Sequence, residues 1–167
     1  MSDAALTDKG YDSAAFVKAF AAGLRGLVQA IVVYLIAIAL QVEIRWELLP
    51  IFTVAAGVFV GSCIFSTFSL VIACIVKTRE RFMGIGQVLT MPFFFASNAI
   101  YPLELMPGWL KAIAVGNPLT YLVDALRGAM IVGGNSVYAV STSFSVMLFV
   151  FAILLLLASR LYPGLAR

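Results

Sequence analysis

The chain has 167 residues, 63% of them hydrophobic, with 11 basic and 8 acidic residues and no histidine, and its mean hydropathy is +1.06. A soluble domain carries roughly 45–50% apolar residues even with glycine counted, so this composition excludes an ordinary soluble domain. It specifies an all-α integral membrane protein, a single transmembrane domain with room for several spans of about 20 residues and almost nothing left for an aqueous domain.

The first twenty residues hold Asp3, Asp8 and Asp12 and lack a basic cluster leading into an apolar stretch, so they do not have the pattern of a secretory signal peptide. Residues 1–25 read as a cytoplasmic lead-in. Within it Asp12 suits the N-cap of a short amphipathic helix starting at about Ser13 on the membrane surface; a frayed terminus is the alternative. Residues 26–42 form the first expected span, barely long enough, closed by Glu43, Arg45 and Glu47.

Residues 48–76 form the second span, longer than one crossing needs, so tilt or burial in a bundle is expected. Gly57 and Gly61, with Ser62 beside them, make a small-xxx-small pair suited to close helix packing, or else to a subunit contact. Cys63 and Cys74 lie in the same run and read as small core residues rather than a disulfide scaffold or a metal site. Lys77, Arg79, Glu80 and Arg81 end the span. Residues 82–101 form a third span, with Pro92 inside it as a bend in the bundle or a flexible gate, and residues 138–159 form a fourth, closed by Arg160.

With Lys77, Arg79 and Arg81 in the cytoplasm, Lys18, Arg25, Arg160 and Arg167 fall on that side, and Arg45, Lys111 and Arg127 remain for the other. The positive-inside bias then puts both termini in the cytoplasm of a plasma (inner) membrane protein. Setting topology is sufficient work for that basic cluster. A contact with a partner chain or with anionic lipid, worth about 1 kcal/mol per basic residue, is the functional alternative.

Residues 102–133 are too charged for a span and too long for a turn. Pro107 suits the first turn of a short helix ending at Gly116, and Asn117 with Pro118 suits the N-cap and first position of a second helix ending near Gly133. At about 1.5 Å per residue such helices reach roughly 14 and 20 Å, less than the ~30 Å hydrocarbon core. A re-entrant pair on the outer side follows, and broken backbone at that depth must be covered by protein or face a water-filled path. Asp124 and Arg127, three residues apart, share a helix face; either alone at the bilayer centre costs about 2.5 to 3.5 kcal/mol. Two placements meet that cost: a paired or hydrated position inside the bundle, or a solvated ion pair at headgroup level.

From Lys77 to Gly128 the residues carry a pattern. Pro92 lies inside the third span; Ser97 and Asn98 form a small polar turn; Tyr101-Pro102, then Pro107, Trp109 and Leu110, then Asn117 to Tyr121, and finally Asp124, Ala125 and Arg127 follow in order. This region resembles the permeases of type-2 ATP-binding-cassette exporters, membrane subunits that include drug, antibiotic and polysaccharide exporters. The resemblance implies that the chain works with a separate ATPase subunit, which holds the ATP and magnesium, and with a second permease copy as homodimer or heterodimer. No cofactor bound by this chain and no nucleic acid is implied; membrane lipids are the remaining partners. It also implies that the re-entrant helices close the outer end of the pathway, with Glu104, Tyr101, Trp109 and Tyr121 along it. Solvated loop acid is the alternative for Glu104, and interface anchoring for the aromatic residues.

The family has six spans as a rule, and this chain corresponds to the last four, like the C-terminal two thirds of a permease. A truncated frame, a mis-started frame and a split subunit are the expectations that follow. There is no GxxxxGK[ST] loop in the sequence and no nucleophile with a base partner, so a transport subunit rather than an enzyme is expected. Two other functions stand beside the exporter. A small proton-coupled antiporter needs a carboxylate deep in a span, where the four runs have none unless Asp124 reaches the midplane. A motorless scaffold or remnant needs only the fold.

Overall fold

A computed structural model describes the backbone of residues 2–76 and 79–161 and the side chains of residues 13, 16–76 and 82–161. The described chain is helical: α1 (Ser2–Ala39), α2 (Leu48–Ile75), α3 (Arg79–Phe95), α4 (Gly108–Gly116), α5 (Pro118–Met130) and α6 (Val140–Leu161), with one 3₁₀ turn at Leu103–Leu105. Among the described residues three helical segments are long and apolar enough to cross a membrane: Phe16–Ala39, Leu48–Ile75 and Val140–Leu161. Their outward faces carry large exposed apolar side chains such as Ile31, Leu35, Phe52, Phe149 and Leu156. Such a surface favours association in water and is required against lipid.

The first apolar segment begins at Phe16 rather than residue 26, taking in Lys18 and Arg25, and α5 ends at Met130 rather than near Gly133; beyond these, the boundaries correct the sequence reading in three places. No separate helix begins at Ser13, because α1 runs unbroken from Ser2. Residues 2–25 contain no proline, and each residue added to an existing helix gains a hydrogen bond at little cost. At the other end α1 stops at Ala39 rather than at Val42, where Gln41 turns left-handed with φ 55°. The Val42 amide donates to the Ala37 carbonyl and the Gln41 amide to Ile38, both at 3.0 Å, closing the helix in a Schellman motif without its usual glycine.

The third difference is the largest. α3 ends at Phe95 instead of Tyr101, leaving an apolar helix Phe82–Phe95 of about 21 Å, short of the ~30 Å core. Pro92 has no amide to continue the ladder. Just beyond, the Ser97 hydroxyl donates to the Phe94 carbonyl at 2.7 Å and accepts from the Ala99 amide, holding the chain in a turn that competes with helix.

α2 is the hub, packing against α1, α3, α5 and α6. Its 28 residues span about 42 Å, so it tilts in, or projects from, a bilayer core. Apolar all round, it buries one stripe: Pro50, Val54, Gly57, Gly61, Ile64, Thr67 and Val71. Gly57 faces Leu122, Leu126 and Phe144, and Gly61 lies directly against Leu122, so the small-xxx-small pair serves packing within the chain. Across α1 the close approach uses Gly26 against Ser62 and Gly23 against Phe59. Cys63 adds a bond from its thiol to the Ala19 carbonyl at 3.2 Å, and both cysteines are free thiols. A Gly61→Val exchange forces its side chain into Leu122 and is expected to destabilise the α2–α5 contact by about 1–3 kcal/mol, read as a lowered midpoint in detergent unfolding followed by circular dichroism.

Two apolar clusters meet at Tyr138. Ile64, Tyr121 and Met147 form the core between α2, α5 and α6, and Leu103, Met106 and Ala114 close the 3₁₀ turn over α4. The α1–α2 loop is fastened to the exit of α5: the Arg45 amide donates to Met130 at 3.0 Å and the Val132 amide to Glu43 at 3.1 Å, flanking an isolated antiparallel bridge of Ile44 and Ile131. Beyond it the chain turns at Gly133, φ 74°, where a side chain would be strained.

Candidate functional site

α4 and α5, of 9 and 13 residues, are joined through the single residue Asn117. Asn117 is buried, and its amide does two jobs. Its Oδ1 accepts from the Leu119 amide at 3.0 Å, capping α5, with Pro118 in the first helical position as the sequence predicts. Its Nδ2 donates to the Phe93 carbonyl at 2.7 Å. That carbonyl belongs to the last turn of α3, whose acceptors have no helical partner once the Ser97 amide turns instead to Phe94 at 3.2 Å. Tyr121 acts similarly on α4, donating its hydroxyl to the Val115 carbonyl at 2.8 Å while its ring lies on Tyr138 at 5.0 Å.

α5 turns Thr120, Tyr121, Asp124, Ala125 and Ala129 inward. Asp124 is fully buried, so of the two placements left open by the sequence the acid takes the interior one. Its Oδ1 accepts from Asn98 Nδ2 at 3.2 Å and from the Val137 amide at 2.9 Å, and its Oδ2 accepts from the Tyr138 amide at 2.8 Å. Val137 and Tyr138 lead into α6, where amides have no helical acceptor. Half-buried Arg127 reaches the same asparagine from the other side, donating Nη2 to the Asn98 carbonyl at 2.9 Å and Nη1 to its Oδ1 at 3.4 Å. Acid and base are thus linked through Asn98. A buried carboxylate loses several kcal/mol of hydration, and three N–H donors with a guanidinium beyond offset that loss. The result is a polar clasp that fixes the end of α3, the inner face of α5 and the start of α6 to one another.

Of the residues singled out in the sequence, Ser97, Asn98, Asn117, Pro118, Tyr121, Asp124 and Arg127 come together in and around this clasp. Pro92 and Trp109 line a separate apolar groove of about 310 Å³ between the end of α3 and α4, with Phe93, Leu110 and Ile113. Tyr101, Pro102, Glu104 and Pro107 are exposed around the 3₁₀ turn, apart from the clasp. Lys77 lies outside the described residues, as do the side chains of Arg79 and Arg81. The sequence did not single out the amides of Val137 and Tyr138, nor Ser143, and it gave Thr120 only as part of the Asn117 to Tyr121 run; the fully buried hydroxyls of Thr120 and Ser143 have no partner among the described residues. Backbone donors carry no residue signature, and small hydroxyls in apolar helices read as packing.

Residues 12–131 match the family model described as ABC-2 type transporter. The chain belongs to the ABC-2 type transporter family. Its relatives include proteins named transport permease ycf38 in Cyanophora paradoxa, 39% identical over 62 residues, and in Porphyra purpurea, 36% identical over 59 residues. Another is the daunorubicin resistance ABC transporter permease protein DrrB1 of Streptomyces coeruleorubidus, 37% identical over 51 residues. These matches cover 37%, 35% and 30% of this ABC-2 chain and 21%, 20% and 18% of the respective relatives, about a fifth of their length. No solved structure matches the ABC-2 chain.

Proposed function

We propose that this chain is the permease subunit of an exporter that moves an amphipathic substrate, such as a drug, antibiotic, lipid or glycolipid, out of the cytoplasm. Energy comes from ATP hydrolysed with magnesium on a separate ATPase subunit, and a second permease copy completes the pathway. The observation that carries this reading is the clasp. Two helices too short to span, α4 and α5, are held by Asn98, Asn117, Asp124 and Arg127 to a broken α3 and to the start of α6. Fixed in this way, the pair forms a re-entrant plug at the end of the molecule where the loop of residues 40–47 and residues 131–134 also meet. The basic residues toward the opposite ends of α1 and α6, Lys18 and Arg160, support the cytoplasmic placement of both termini.

With the plug in place α3 serves as the fourth membrane segment, its short helix completed in depth by the turn at Ser97 and Asn98. The family to which the chain belongs supports partnership with an ATPase, and the name of the Streptomyces relative supports a drug-like substrate. Proton exchange at Asp124 is disfavoured, because both carboxylate oxygens are occupied by donors.

Single cysteines in a background with Cys63 and Cys74 replaced by serine test the plug. Cysteines at Glu104 and Asn135 are expected to react with a membrane-impermeant maleimide added outside, and a cysteine at Gly116 from neither side. Reaction at Gly116 from the cytoplasmic side would mean that α4 and α5 cross the membrane, and the plug would be lost as a reading.

A further inference from the structure

The face of α2 turned toward α3 has no part in the clasp, yet two cavities adjoin there. One is an open cleft of about 670 Å³ between the two helices, walled by Phe65, Phe68, Ile72, Phe82, Phe93 and Phe94. The other, of about 190 Å³, lies at the last turns of α2 beside α1 and is lined by Lys18, Ser66, Thr67 and Ser69 with Leu70 and Ala73. Ser69 and Phe82 line both, so the small cavity adjoins the large apolar one. Lys18 is exposed at the mouth. Along α3 the cleft extends from Phe82 to Phe94, about 18 Å at about 1.5 Å per residue. One leaflet of the hydrocarbon core is about 15 Å deep, half of the ~30 Å total.

An ammonium group and hydroxyls at one end, adjoining an aromatic-walled cleft of one leaflet's depth, match an amphiphile with an anionic head and an acyl chain. We infer that this is a binding site for an anionic phospholipid, with its phosphate at Lys18, Ser66 and Ser69 and one acyl chain in the α2–α3 cleft. Hydroxyls and a lysine supply donors to phosphate oxygens. Placement at the basic end of the bundle suits a leaflet rich in anionic lipid. The site requires only that the chain sit in a membrane, so it stands or falls separately from export.

The test is native mass spectrometry of the detergent-purified full chain with equal amounts of phosphatidylglycerol and phosphatidylcholine of identical acyl chains. Wild type is expected to retain phosphatidylglycerol about fivefold over phosphatidylcholine, the ratio expected for one lysine–lipid charge contact. Lys18→Gln is expected to bring the ratio to one without changing phosphatidylcholine binding, and Lys18→Arg to keep the preference. Gly86 lines the cleft and has open space where a side chain would start, so Gly86→Leu fills the cleft without forcing the helices apart and is expected to reduce both lipids. Equal retention by wild type, a preference that survives Lys18→Gln, or unchanged binding in Gly86→Leu overturns the assignment.

Discussion

Asp124→Ala is expected to destabilise the protein on the order of 3–5 kcal/mol, the range measured when one member of a buried charged network is removed. The residue is fully buried, and its removal strips acceptors from Asn98 Nδ2 and from the amides of Val137 and Tyr138 at once. Each buried donor left without a partner costs about 1–3 kcal/mol, and the terms overlap because Asn98 also holds Arg127. Asp124→Asn keeps the shape but turns one acceptor into a donor facing an N–H group, and is expected to cost about 1–3 kcal/mol. Reversible unfolding in detergent, followed by circular dichroism, gives these values. The asparagine variant also separates roles: a proton-exchanging carboxylate loses transport with this change whatever the stability, whereas a clasp loses transport only in proportion to unfolding.

Asn117→Ala is expected to cost roughly 2–4 kcal/mol, combining the loss of an N-cap, about 1 kcal/mol, with an unpaired buried carbonyl at Phe93. Asn117→Ser restores the cap to Leu119 but not the reach to Phe93, so it is expected to fall between wild type and alanine. Asn117→Asp keeps the cap and sets an oxygen against the Phe93 carbonyl, which tests the cross-link alone. The same unfolding measurement ranks the three. If alanine and serine are equal, the cap is silent; if serine and wild type are equal, the bond to α3 is silent.

The Asn117-Pro118 junction was legible because cap chemistry is local: an asparagine oxygen and a fixed proline φ identify a helix start with no knowledge of the rest of the fold. Gly57 and Gly61 were legible as close packing for the same reason, although only the structure names Leu122 as the neighbour. The end of α3 was not legible. Hydropathy continues past Phe95, and the side chain of Ser97 decides the matter by bonding backward to Phe94. Nor was the end of α1, where a glutamine takes the left-handed position that a glycine would advertise. In the clasp, Asn98, Asp124 and Arg127 were visible as polar residues in apolar surroundings, but their arrangement depends on long-range contacts and on backbone donors from the start of α6, which leave no trace in residue type. Tyr101, Glu104 and Trp109 share a sequence neighbourhood with these residues and yet sit elsewhere, because α4 and the 3₁₀ turn present them outward.

That this chain serves as the membrane subunit for an ATP-hydrolysing partner is our proposal. Its most direct test is a mild-detergent pull-down of the chain from its native membrane, with mass spectrometric identification of whatever accompanies it. A co-purifying P-loop ATPase, retained with the chain through washing, is the expected result. A chain recovered without any nucleotide-hydrolysing partner would contradict it.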